Sequence, residues 1–472
     1  MARSISPGLA VAALALLACS EKLPTASVRA PDDPPAATLI REVAVLDVTT
    51  GARLRGRDVL LRDGKIARVA AASSNEPEDV VVVDGKGATL VPGLIDMHGH
   101  INSGTQPSWE FGFPTPDANL DAYLYAGVTA VLDPGDSSAD AFDRRDAIAA
   151  GEKLGPRVYT AGSVLTGKDS HPVAMVREFV PGWISWYVES QVAVQVETEE
   201  EVNQAVDDLA DAGADVVKIA VDRIPLDAPR MSKETIGYVV ARAKERGLRV
   251  VAHIGSFEDA LDTAEAGVSL WVHGPYTERL TDVQVAKLAA QGVPMVATLE
   301  VFDRYARSGT GPIVPTRFER ETVPAQVLKS FHPVPDDFDL GNFAGWLERM
   351  QQQRGANVEN AIRLRRAGVT VLTGSDTQSG VFPGAGLHRE LAQLVAAGMT
   401  PTEVIRAATI DAASFLANGK PRAFGSIDAG LDADVLLVEG DPTRDVEALS
   451  NLRGVWLDGV LLERTPVDAG AG

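Results

Sequence analysis

Six joints of one kind punctuate this chain and constrain its fold more than any other feature. At Ala126-Gly127-Val128, Ala212-Gly213-Ala214, Arg246-Gly247-Leu248, Ala266-Gly267-Val268, Gln291-Gly292-Val293 and Ala367-Gly368-Val369, an amphipathic stretch ends in glycine and a strand-like run follows at once. Glycine suits the left-handed cap that ends a helix. Helix-patterned segments at 199–211, 233–246 and 359–367 alternate with strands expected over 90–98, 128–134, 157–162, 215–221, 249–254, 269–273, 294–299 and 369–375. That alternation implies a parallel sheet with helices between the strands. The expected class is α/β, a closed (β/α)8 TIM barrel over residues 89–425. A doubly wound open sheet competes, but its phosphate-binding glycine fingerprint is absent from the sequence.

Both flanks of that region read differently. Residues 39–88 and 426–465 carry short strand-like runs with two hairpin signals, Asp63-Gly64 and Asp458-Gly459. A lone hairpin is marginal in water. The two chain ends are therefore expected to pair into one discontinuous β-sandwich beside the barrel. The 472 residues, 45% of them hydrophobic, suffice for both units.

Residues that bind divalent metals gather at the strand ends. His98-Gly99-His100 closes an apolar run, and on a strand residues i and i+2 share a face, so both imidazoles can meet one ion. Lys218, His253, His273 and Asp376 each follow one of the joint glycines by five to eight residues, which puts them at the C-terminal ends of their strands. Active sites of such barrels are built at that end from several strands. An unpaired ammonium in Val216-Val217-Lys218-Ile219-Ala220 carries a heavy desolvation penalty. Reaction of the neutral amine with carbon dioxide would turn Lys218 into an anionic oxygen donor. Cys19 is the only cysteine, so no ligand is thiolate and no internal disulfide forms. Imidazole and carboxylate suit zinc first, with manganese, cobalt or iron as alternatives. His332 and His388 read as structural.

The N-terminus carries an address. Arg3 precedes an apolar run from Leu9 to Ala18, and Leu16-Leu17-Ala18-Cys19 resembles the lipobox of bacterial lipoproteins, whose cysteine is lipidated. Residues 1–18 are expected to be a signal peptide, Cys19 the lipid anchor and 20–37 a flexible tether. This implies an exported cell-envelope lipoprotein on a periplasm-facing membrane, held through its lipid alone. A net charge of −21 without a basic stripe argues against nucleic acid as a partner.

The run from Val91 to His100, with Val216-Val217-Lys218-Ile219, Val251-Ala252-His253, Val272-His273-Gly274 and Thr373-Gly374-Ser375-Asp376, resembles the amidohydrolase superfamily, as does the tail from Gly425 to Val435. The motifs occur in the family's order across residues 39–465. Within it, the chain is most similar to the imidazolonepropionase-like group that includes binuclear-metal prolidases and dipeptidases. The resemblance implies two divalent ions bridged by a carboxylated Lys218. It also implies hydrolysis of C–N amide bonds in a small-molecule substrate by a metal-bridging hydroxide, with Asp376 as general base and then general acid. Dipeptides, X-Pro among them, or N-acyl amino acids are the first expectation. A cyclic amide, imidazolone or lactone is the second, and a catalytically inactive binding lipoprotein the third. His171 lies where relatives often carry Gly-Gly-His, and here Asp169-Ser170 precede it. His171 and Tyr276 are the candidate substrate contacts. The stretch 300–346 reads as a structureless lid. Homo-oligomerisation is left open.

Overall fold

The structure, a computed structural model, describes residues 23, 25–73, 79–104, 106–110, 114–308 and 310–467. The leader and Cys19 lie outside the described residues. All eight expected strands form, shorter than the pattern suggests: Leu94–Asp96, Val128–Asp133, Arg157–Thr160, Val217–Ala220, Val250–His253, Leu270–Trp271, Met295–Val296 and Val371–Leu372. They pair in parallel as two arcs. Backbone bonds from Asp215 to Thr160 (2.9 Å) and from Met97 to Thr373 (3.0 Å) join the arcs' edges. An open doubly wound sheet has no such return from the eighth strand to the first. Two further short strands, Val164–Thr166 and Ala193–Gln195, extend one arc beside the fourth barrel strand.

Local chemistry explains the rhythm. The six joint glycines have φ between 69° and 102°, the left-handed region that stops a helix without steric penalty. At the other helix ends, Thr198 with Glu201, Ser256 with Asp259 and Thr281 with Gln284 form capping boxes. These three helices are thus fixed at both ends.

The run expected as one strand over 90–98 is two. Ala88–Pro92 pairs antiparallel with Val435–Glu439 in the small domain, whereas Leu94–Asp96 opens the barrel. The break falls at Gly93, where an added Cβ would lie 2.0 Å from the Thr129 hydroxyl oxygen. His98 and His100 therefore sit just beyond a strand end.

Segments from both chain ends share one eight-stranded hydrogen-bonded sheet rather than two stacked ones, while Glu463–Thr465 pairs apart from it. That sheet curls until Ile66 exchanges backbone bonds with Gly430 and Leu431, 2.8 Å each. Ile40, Val59, Ile66, Leu90, Val435 and Trp456 fill its interior. Asp63-Gly64 and Asp458-Gly459 both take positive φ, as the hairpin turns require.

Two further expectations are corrected. Within the supposed tether 20–37, Ser27–Arg29 pairs antiparallel with Glu463–Thr465, and Arg29 bonds Glu463, so that part is anchored. The stretch 300–346 is not structureless: it carries Leu299–Ala306, Arg317–Thr322, a tight turn Val327–Phe331 and the start of Phe343–Gln352.

Candidate active site

The ends of the first and eighth strands are stapled together by one buried acid. The Asp96 carboxylate accepts from the backbone N–H of His98 (3.1 Å) and Ser375 (3.0 Å) and from the Ser375 hydroxyl. Asp376 N–H donates to the His98 carbonyl at 2.6 Å. The Thr377 hydroxyl oxygen accepts from His100 N–H (2.7 Å) and donates to the His100 carbonyl. This close approach leaves no room for side chains at the intervening positions. A Cβ on Gly99 would lie 2.4 Å from the Tyr123 hydroxyl, and one on Gly374 would lie 2.8 Å from the His98 nitrogen. Asp376 takes φ 55°, uncommon for a residue other than glycine, and so turns back towards the histidines.

Outward hydrogen bonds assign the imidazole tautomers. His98 Nδ1 donates to the Val272 carbonyl (2.8 Å) and His100 Nδ1 to the Gly135 carbonyl (3.1 Å), since a carbonyl can only accept. His253 Nε2 meets the Asp222 carboxylate at 2.8 Å, and His273 Nδ1 meets the Thr298 hydroxyl at 2.7 Å. The remaining nitrogens face each other, His98 Nε2 to His100 Nε2 at 3.2 Å and His273 Nε2 to His253 Nδ1 at 2.9 Å. Asp376 lies 3.2 Å from His100 Nε2, 3.5 Å from His98 Nε2 and 3.9 Å from His273 Nε2. Lone pairs aimed at one another repel unless a proton or a cation lies between them. This donor set, with ligand atoms of His98, His273 and Asp376 within 4.8 Å of one another, fits divalent cations.

Electrostatics agrees for His98 and His273, whereas His100 holds a proton that a cation would have to displace. Burial holds His98 and His273 well below the ordinary histidine range, so both stay neutral and able to ligate. Burial would depress His100 too, but Asp133 and Asp376 outweigh it and raise it to about 10. Burial raises Asp376, yet His98 and His100 more than reverse this and hold it below the usual carboxylate range. Lys218, buried inside the fourth strand rather than at its C-terminal end, is pulled down to about 8 by burial against the opposing pull of Asp376, Asp222 and Asp133.

His171 and Tyr276 are brought together by a residue that sequence reasoning missed. Buried Asp222 meets His171 Nδ1 at 2.9 Å through one oxygen, while the other meets His253 and accepts the Tyr276 hydroxyl. His171 Nδ1 and the Tyr276 hydroxyl are thus engaged by Asp222 on this side of the site. One signal was available: Asp222 directly follows the apolar strand that carries Lys218. His388 donates to the Ala126 carbonyl at 2.8 Å, outside the site, while His332 borders a cleft beside it.

Residues 89–462 match the amidohydrolase family. The chain belongs to this family. Among curated proteins, it is 46% identical to a dihydroorotase of Syntrophus aciditrophicus over 74 residues, 16% of each chain. It is 37% identical to adenine deaminase 2 of Rhizobium etli over 100 residues, 21% of this chain and 15% of that one. These matches span far less than two thirds of either relative. Among solved structures, an amidohydrolase is similar at 25% identity and TM-score 0.71, over 90% of this chain and 98% of that one. A Xaa-Pro dipeptidase with bound methionine shares the fold at 23% identity and TM-score 0.72, over 90% and 99%.

Proposed function

We propose that the chain hydrolyses the amide bond of dipeptides or N-acyl amino acids with two divalent cations, zinc first among the candidates. His98, His100 and Asp376 would hold one, His253 and His273 the other, with a carboxylated Lys218 between them. The observation that carries this reading is the inward pairing of four imidazole nitrogens whose other nitrogens are each occupied from outside. Such ions, when bound, acidify a water and polarise the scissile carbonyl. Asp376, ionised at neutral pH, takes the proton of the attacking water and returns it to the leaving nitrogen. Lys218 suits carboxylation because burial leaves much of its amine uncharged near pH 8. The dihydroorotase match supports a second reading, a cyclic amide substrate. Assay of zinc-loaded protein on dipeptides, N-acyl amino acids, hydantoins and lactones separates the two. Lys218→Ala should lose most activity and regain part with added short carboxylates, and full activity in Lys218→Ala would refute the bridge. Export and lipidation at Cys19 are a further proposal, resting on Leu16-Leu17-Ala18-Cys19. Cys19→Ser should then lose detergent partitioning.

A further inference from the structure

Beside the site lies a cleft of about 180 Å³. Its walls come from segments after the first, third, seventh and eighth barrel strands, including Trp109, Phe179, Tyr305, Phe343 and Gln378. It opens beside the Asp376 turn, because Gln378 follows that residue by two positions and accepts a hydrogen bond from the Tyr305 hydroxyl. The aromatic wall is already packed: Phe343 lies 5.1 Å from Phe179 and stacks on Trp346, which meets Tyr305 edge-on at 4.9 Å. An apolar cavity of about 150 Å³ accepts benzene, so an aromatic or branched side chain fits here.

The charge of the cleft is unusual for this chain. The protein carries a net charge of −21, yet none of the described residues lining the cleft is acidic, and two are arginines. Arg307 is engaged with Asp303. Arg304 is only partly engaged. Its side chain is 9% exposed, with Nη2 donating to Glu300 at 2.9 Å and its guanidinium carbon 4.2 Å from the Phe331 ring centroid. Its Nε and Nη1 are buried without a hydrogen-bond partner among the described residues. Unmet donors on a buried guanidinium are unfavourable until an oxygen accepts them, and a carboxylate oxygen can accept from Nη1.

We propose that this cleft is the subsite for the leaving amino acid, with its apolar side chain against Phe179, Tyr305 and Phe343 and its carboxylate accepting from Nη1 of Arg304. The favoured substrate is then an N-acyl amino acid or dipeptide with a large apolar C-terminal residue. This rests on the amide-hydrolase reading above. One water is consumed: its oxygen bonds the carbonyl carbon, the C–N bond breaks, and the amine departs with the proton that Asp376 returns. The leaving group points to the cleft because Asp376, its proton donor, borders it through Gln378. Tyr276 is a weaker carboxylate partner, since its hydroxyl already donates to Asp222.

The test measures kcat/KM on zinc-loaded protein for N-acetylphenylalanine, N-acetylglycine and N-acetylphenethylamine, which lacks the carboxylate. Wild type should favour the first over the second by at least about 10-fold and over the third by at least about 100-fold. Arg304→Met should bring the first and third within about threefold, with zinc content unchanged. Arg304→Lys keeps a charge for Glu300 and, losing the separate Nη1 donor, should lose most of the same preference. Phe343→Ala should erode the preference for phenylalanine over glycine. Equal cleavage of the acid and the amine derivative by wild type, or an unaltered preference in both Arg304 variants, would overturn the proposal. If no amide is cleaved, the hydrolytic reading fails while calorimetry with 3-phenylpropionate and 3-phenylpropanamide still reports on the cleft. Binding of the acid alone, lost in Arg304→Met, supports it, and equal binding of both ligands overturns it.

Discussion

Asp222→Asn is the perturbation that separates a site built for metal from a buried polar cluster. The carboxylate accepts from three groups, His171 Nδ1, His253 Nε2 and the Tyr276 hydroxyl. An amide offers one accepting oxygen and turns an N–H₂ towards the remaining donors. If the oxygen faces His171, His253 confronts a donor and must move its proton to Nδ1, the nitrogen that faces His273 at 2.9 Å. A protonated Nδ1 cannot ligate. If the oxygen faces His253 instead, the proton can stay in place, but His171 is left beside a donor. Removal of such an orienting partner weakens metal binding or activity by about 10- to 100-fold, or about 1.4 to 2.7 kcal/mol. Asp222 bonds His253 but none of His98, His100 or Asp376, so the ion on the His253 side should loosen first. The assay is competition of a chromogenic chelator with zinc-loaded wild type and Asp222→Asn, with circular dichroism as the folding control. Two unchanged affinities in a folded variant would refute the orienting role.

Three other substitutions probe the remaining parts. Asp376→Asn should keep most of its metal and lose turnover by at least about 100-fold, and near wild-type hydrolysis would exclude the proton route. Gly374→Ala puts a methyl 2.6 Å from Val296 and 2.8 Å from the His98 nitrogen; it should destabilise by about 1 to 3 kcal/mol and release zinc on the His98 side, as read by urea unfolding and elemental analysis. Burial lowers His388 to about 4, so the folded state resists its protonation and stability falls as pH drops from about 6.5 towards 4. His388→Gln can still donate to the Ala126 carbonyl and does not titrate. Its stability relative to wild type should rise by about 2 kcal/mol between pH 7 and pH 4.5, and an unchanged difference would show that His388 is not the titrating group.

Much of the site could be read in the sequence because strand ends are punctuated. The offsets of His253, His273 and Asp376 from their glycines put them at or just past their strand ends, whereas Lys218 lies inside its strand. What stayed hidden depended on pairings distant in sequence. Asp96 staples Ser375 across 279 positions, and nothing near Asp96 announces a partner. Asp222 gathers side chains from three loops, and its role exists only once those loops converge. The division of the 90–98 run at Gly93 was concealed because apolar residues continue on both sides while the chain passes from one sheet to another. The 300–346 segment misled for a related reason: its helices are short and separated by proline- and glycine-containing turns, which mask periodicity.

The central claim is a binuclear metal centre, and elemental analysis of active, fully loaded protein tests it most directly. The account predicts two divalent ions per chain, falling to one or fewer together with activity in Lys218→Ala. Full activity at one ion per chain, or two ions retained without Lys218, would contradict it.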